Sequence, residues 1–154
     1  VREISMRFDT SNCDAALDDI LERARASVRP AAQAATQVVY QEVLVRVPAS
    51  PKGHWFHGTS FKTTGQKYWF EPGSLRRAIY QAYSADNSTQ DHATYHVSWN
   101  RKKAPYGHWV ENGTSRAPAQ PFLRPAYEAS IDRALDAGRV KFSESYASLA
   151  KGGS

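Results

Sequence analysis

The stretch LRRAIYQAYS, ADNSTQDHA, TYHVSWN, residues 75–100, decides the fold. Leu75–Ser84 and Thr94–Asn100 read as strands. By the two-residue alternation of a strand, Ala78, Tyr80 and Ala82 share one face of the first, and Tyr95, Val97 and Trp99 one face of the second. Between them, Ala85–Ala93 is rich in Asp, Asn, Ser and Thr, the composition of a hairpin connection. A hairpin makes the pairing antiparallel. What lies on either side then fixes the class.

Upstream, Ile4, Met6 and Phe8 alternate with Ser5 and Arg7 and predict a short strand with one buried face. Ser11 or Asn12 can cap the helix that follows, and Asp14, Asp18 and Asp19 suit its N-terminal dipole. Leu17, Ile20, Leu21, Ala24 and Val28 make a helical stripe, which resumes beyond Pro30 through Ala31, Ala35, Val38, Val39 and Val43. Pro30 lacks an N–H, so one long kinked helix or two nearly collinear ones are expected over roughly 13–46, ending before Pro48. The small residues from Ala31 to Ala35 would let another backbone approach closely.

Downstream, Ala104–Asn112 reads as a short helix closed by Gly113 in a left-handed cap. Pro121 opens the last helix, where Tyr127, Ile131, Leu135, Phe142, Tyr146 and Leu149 form the apolar stripe. Gly138 falls on that stripe, as a close crossing or a kink would require. Residues 151–154 read as a flexible tail. Strands and helices do not alternate, so the class is α+β. A short antiparallel sheet, the N-terminal strand plus the central hairpin, packs on a long N-terminal helix and a C-terminal helix. The 154 residues suit one domain spanning the chain.

Residues 48–74 stand apart. Pro48, Pro51, Gly53, Gly58, Gly65, Pro72 and Gly73 punctuate them, so a long loop without regular structure is expected. The loop nevertheless carries Trp55, Phe56, Phe61, Tyr68, Trp69 and Phe70, too many aromatics for a disordered linker. Exposed together they would form a large apolar patch, so they either fold back on their own domain or bury against a neighbouring subunit, the second being the favoured expectation.

The net charge of +5 is local. Residues 47–104 hold 8 Lys and Arg against 3 Asp and Glu, and the densest piece is Arg101, Lys102 and Lys103. These residues make either a solvated loop or a surface for DNA or an acidic partner. No apolar run nears the roughly 20 residues of a membrane helix. Val1–Thr10 carries no signal-peptide core. The lone Cys13 excludes an internal disulfide framework and a cysteine-rich zinc site. His54 and His57 form an H-x-x-H without a third ligand nearby, and no nucleotide or hydrolase motif occurs. Neither an enzyme nor a cofactor is expected.

One signature remains: APYGHWVENGT at residues 104–114, then PFLRPAY at 121–127. Tyr106, Trp109 and Val110 put bulk on one helical face, Gly113 and Thr114 make a sharp exit, and Phe122 and Leu123 anchor the next helix. Glu111, the one group there with acid–base chemistry, suits a cap or an ion pair better than catalysis.

Together with Gly73, Ser74, Leu75 and Arg76 leading into the hairpin, and with Pro121, Phe122, Arg124 and Pro125, this pattern resembles the tail-completion, or neck, family of long-tailed bacteriophages. The resemblance covers about residues 4–150; the loop 49–72 is its departure, since many members join helix and hairpin by only a few residues. It implies a virion structural protein at the head–tail junction, forming a homo-oligomeric ring, commonly of six subunits, through which genomic DNA passes. The implied partners are the head connector and the tail tube or terminator proteins, with no membrane. DNA contact would be non-specific, and assembly would take place in the host bacterial cytoplasm. A tail terminator ring and a sequence-independent DNA-binding protein are the alternatives.

Overall fold

The computed structural model describes residues 11–57 and 61–151. The expected N-terminal strand at Ile4–Phe8 lies outside them. Helix α1 spans Ser11–Arg46 and is continuous through Pro30. Two sheet pieces follow. Strand β1 (His54–His57), a turn of helix α2 (Phe61–Thr64) and strand β2 (Lys67–Phe70) come first. Helix α3 (Ser74–Ala78), strand β3 (Ile79–Ser84) and strand β4 (Thr94–Trp99) come next. Helix α4 (Gly107–Asn112) and helix α5 (Leu123–Lys151) complete the order. The architecture is α+β: two short antiparallel sheets with a long N-terminal and a long C-terminal helix packed together.

The 48–74 stretch is more regular than its punctuation suggests. Its aromatics form a second hairpin, with His54 opposite Phe70, Trp55 opposite Trp69 and Phe56 opposite Tyr68. Gly65 takes φ +66° where the chain turns back toward β2. The central hairpin is found with its connection at Ala85–Ala93, but the first strand starts at Ile79 because Ser74–Ala78 winds into helix. Ile79, Gln81 and Tyr83 lie opposite Trp99, Val97 and Tyr95 and look toward α1, while Tyr80 is exposed. Arg29 stacks over the Tyr83 ring at 4.2 Å, and Arg25 pairs with Asp91 at 2.8 Å in the hairpin connection. That bond holds the Arg25 guanidinium above its ordinary pKa.

Helix α5 begins at Leu123, two residues after Pro121, and runs through Lys151, which is therefore helical rather than tail. Its buried stripe is Ala126, Ser130, Ala134 and Gly138, at steps of four. The predicted stripe of large residues lies beside it, and Tyr127, Leu135 and Leu149 are exposed. The reason is on α1. A Cβ at Gly138 would stand 3.4 Å from the Ala31 carbonyl oxygen and 3.4 Å from the Ala35 Cβ. The helices cross so closely that only small side chains fit between them. Buried Ser27 and Ser130 return their hydroxyls to the carbonyls of Arg23 and Ala126, so the crossing strands no polar group there. Nearer the sheet the crossing opens into a core of Val43, Val47, Leu75, Ala78, Ile79, Ala104, Phe122 and Ala126. Burial of a side chain such as Phe122 contributes on the order of 1.5–3 kcal/mol.

Candidate functional site

The 104–127 signature is held together by side-chain and backbone contacts. Tyr106 leads into α4, and its hydroxyl meets the Ser74 hydroxyl at 2.5 Å. This joins the signature to the Gly73–Arg76 turn, where Gly73 is left-handed (φ 68°, ψ 15°) and Leu75 is buried. Gly107 sits against the Trp99 indole, which a Cβ would overlap at 2.5 Å. Gly113 has the expected positive φ but not the expected left-handed cap. At φ 73° and ψ 179° it lies in a region that is essentially glycine-only. A Cβ there would meet the Ala119 backbone nitrogen at 2.7 Å. Thr114 then holds the loop: its Oγ1 accepts the N–H groups of Arg116 and Ala117, and its own N–H bonds the Ala117 carbonyl.

Glu111 receives the chain on its return. Its carboxylate accepts the N–H of Phe122 at 2.8 Å, of Leu123 at 3.1 Å and of Arg124 at 3.4 Å. Pro125 has no N–H, and Ala126 already bonds the Phe122 carbonyl. The opening donors of α5 are thus accounted for by one side chain from α4 and one proline. Arg124 is exposed and pairs with Glu128 at 3.8 Å.

The aromatic hairpin has two unlike faces. Phe56 and Phe70 pack on this chain's own helix α4. Phe70 meets the Tyr106 ring at 4.9 Å, Phe56 meets the Trp109 ring at 5.3 Å, and His54 meets Tyr106 at 5.4 Å. The expectation that all six aromatics await a neighbour is therefore too broad. On the other face Trp55 and Trp69 touch each other edge-on at 5.2 Å and remain 58% and 52% exposed. Phe61 is half-buried under the His57 ring at 4.5 Å. His54 and His57, three apart on a strand, point to opposite faces, so the H-x-x-H cannot close on one metal. Among the described residues no cluster of three His, Cys, Asp or Glu has metal-binding geometry.

Folding also brings the basic turn to the aromatics. Phe56, Tyr68, Trp69 and Trp109 line an open cleft of about 540 Å³ together with Arg101 and Lys102. The Asn100 side chain shapes that turn by accepting the N–H groups of Lys102 and Lys103. Lys103 is exposed and does not line the cleft. The sequence placed these two groups about thirty residues apart and gave no sign that they meet. The second hairpin does have a signal: two short aromatic runs, HWFH directly after Gly53 and KYWF ending two residues before Pro72.

No protein-family model matches the chain, and neither a curated relative nor a solved structure does.

Proposed function

We propose that this chain is a non-enzymatic structural subunit of a phage neck, present in several copies as a ring between head connector and tail, with DNA passing through its lumen. The observation that carries the reading is the exposed aromatic surface around the 54–70 hairpin. Trp55, Tyr68 and Trp69 of the hairpin and Trp109 of α4 are each more than two-fifths exposed, and Tyr68, Trp69 and Trp109 stand beside Arg101 and Lys102. A folded monomer gains nothing by leaving that much aromatic surface in water, whereas a subunit with neighbours buries it. The signature supports the same reading: Glu111, Gly113, Phe122 and Pro125 set the angle between α4 and α5 and expose no reacting group. The resemblance supplies the copy number, commonly six, and the connector and tail partners.

The test is whether the chain is present in purified virions and where density for it lies in a reconstruction of the neck. Virions that lack the chain would sink the reading. A density at the distal end of the tail tube alone would move it from the neck to a tail terminator. The aromatic and basic cleft favours a second reading, a sequence-independent DNA-binding protein, because stacking and phosphate neutralisation suit single strands. A DNA titration of the isolated chain at low salt checks it, and no binding there removes it.

A further inference from the structure

The closing of α1 on α5 by small residues leaves a groove beside the crossing. It holds about 520 Å³ and is lined by Val39 of α1, Tyr95 and Val97 of β4, and Tyr127, Ile131 and Leu135 of α5, among others. Its floor is almost wholly apolar, and Tyr127 and Leu135 are about half exposed. Its wall is β4, which among the described residues pairs with β3 alone. One edge of β4 therefore offers N–H and C=O groups to a further strand, directly over an apolar floor. A strand that bonds to this edge would turn every second side chain down onto α1 and α5.

We infer that this slot receives the segment Ile4–Phe8 of a second copy of the chain. That segment has the required pattern, Ile4, Met6 and Phe8 on one face with Ser5 and Arg7 on the other. Its own chain cannot supply it. Tyr95 lies opposite Tyr83, whose ring sits under Arg29. Arg29 is 18 residues along α1 from Ser11, roughly 27 Å at the rise of a helix, and Val39 is roughly 42 Å away. Fully extended back from Ser11, Phe8 reaches about 10 Å and Ile4 about 25 Å. The three apolar residues fall short of their own groove together. They can seat in the groove of a neighbour. The first turns of α1 point to the same neighbour, because Leu17, Ile20 and Leu21 stand about half exposed on the helix that carries the segment. Each copy would give a strand to one neighbour and take one from another. This is a head-to-tail contact, and such contacts form a ring where the rotation between copies closes. The inference deepens the ring reading and rests on it only in naming the neighbour a second copy.

The experiment compares the full chain, a chain lacking residues 1–10 and a labelled peptide of residues 1–10. The shortened chain should keep its circular dichroism and elute as a monomer under conditions where the full chain assembles. The peptide should bind the shortened chain, and Leu135→Asp, at an exposed position that leaves the fold intact, should weaken binding by at least about tenfold. A peptide carrying Phe8→Asp should lose affinity likewise. In a Cys13→Ser background, Phe8→Cys with Leu135→Cys should cross-link between copies on oxidation. A peptide that does not bind, binding indifferent to Leu135→Asp, or a cross-link confined within one chain overturns the inference. A shortened chain that still forms the full assembly also overturns it, while leaving the ring reading standing. If neither chain assembles and virions lack the protein, the ring reading fails separately.

Discussion

The Glu111 carboxylate accepts the Phe122 backbone N–H at 2.8 Å, and this contact helps tie the end of α4 to the start of α5. Phe122 is fully buried, so its N–H has no route to water. The same carboxylate reaches Leu123 and Arg124, whose N–H groups have no partner within the helix. Glu111→Ala should therefore cost about 1–3 kcal/mol, the range for leaving buried donors unpaired. Glu111→Gln keeps one acceptor oxygen and should cost less. Urea unfolding of the three proteins measures the difference. Equal midpoints for Glu111→Ala and the parent chain would remove the capping role.

Gly113 connects the two helices by a backbone that other residues avoid. Its φ of 73° with ψ of 179° costs a non-glycine residue on the order of 1–3 kcal/mol. A Cβ would also press on the Ala119 nitrogen and α-carbon, which belong to backbone and cannot rotate away. Gly113→Ala should lower the melting temperature by several degrees, and Gly113→Val by more. A melting temperature within one degree of the parent for both would contradict this geometry.

What could be read in the sequence, and what could not, divides by the range of the forces. Helix α1 was legible because its apolar positions repeat locally from Leu17 to Val43, and the central hairpin because Ala85–Ala93 has turn composition. The hairpin at 54–70 was hidden. Its strands have only four residues each and take support from Tyr106 and Trp109, about forty residues away. The buried stripe of α5 departs from the expected one for a related reason. Amphipathic patterns favour large side chains, but Ala31 and Ala35 across the interface admit only small ones. At the site, the sequence supplied the aromatics and Arg101–Lys103 separately. Only the pairing of β1 with β2 and their seat on α4 bring Trp69 beside Arg101 and Lys102.

That crossing gives a graded test at Gly138. A Cβ would sit at 3.4 Å from both Ala31 and Ala35, so Gly138→Ala trades a small crowding against the helix preference of alanine. It should change stability by less than about 1 kcal/mol. Gly138→Leu has no space and should destabilise by about 1–3 kcal/mol or more through overpacking. Denaturant midpoints measure both. A leucine tolerated like the alanine would mean that the helices separate freely at this point.

Glu42 links the two long helices electrostatically. Its carboxylate accepts from Arg133 of α5 at 2.7 Å and from Arg46 of α1 at 2.8 Å, and only 17% of its side chain is exposed. The bonds from Arg133 and then Arg46 hold its pKa below the ordinary glutamate value. A carboxyl depressed on folding adds stability above its unfolded pKa of about 4.3, and that stability is lost as pH falls through the folded value. Glu42→Gln should thus be less stable than the parent at neutral pH, with the gap closing in acid below about pH 4. Urea midpoints from pH 7 to pH 3 check the sign. A gap that widened in acid would contradict the pairing.

The two faces of the aromatic hairpin should separate folding from assembly. Phe56 and Phe70 pack on Tyr106 and Trp109 within the chain, so Phe56→Ser with Phe70→Ser should lower the monomer's melting temperature. Trp55 and Trp69 pack mainly on each other at the surface. One indole face of Trp69 also covers Gly53, which a Cβ would overlap. Replacing both tryptophans by Ser removes an edge-to-face pair of about 0.5–1.5 kcal/mol, so the monomer should lose little stability. If neighbours bury this face, the same change should remove two anchors of the kind that dominate interfaces. Assembly measured by light scattering, and incorporation into virions, should then fall far more than the melting temperature does. A double mutant that assembles normally would free this face from any contact between subunits. One that unfolds would place both tryptophans in the chain's own core.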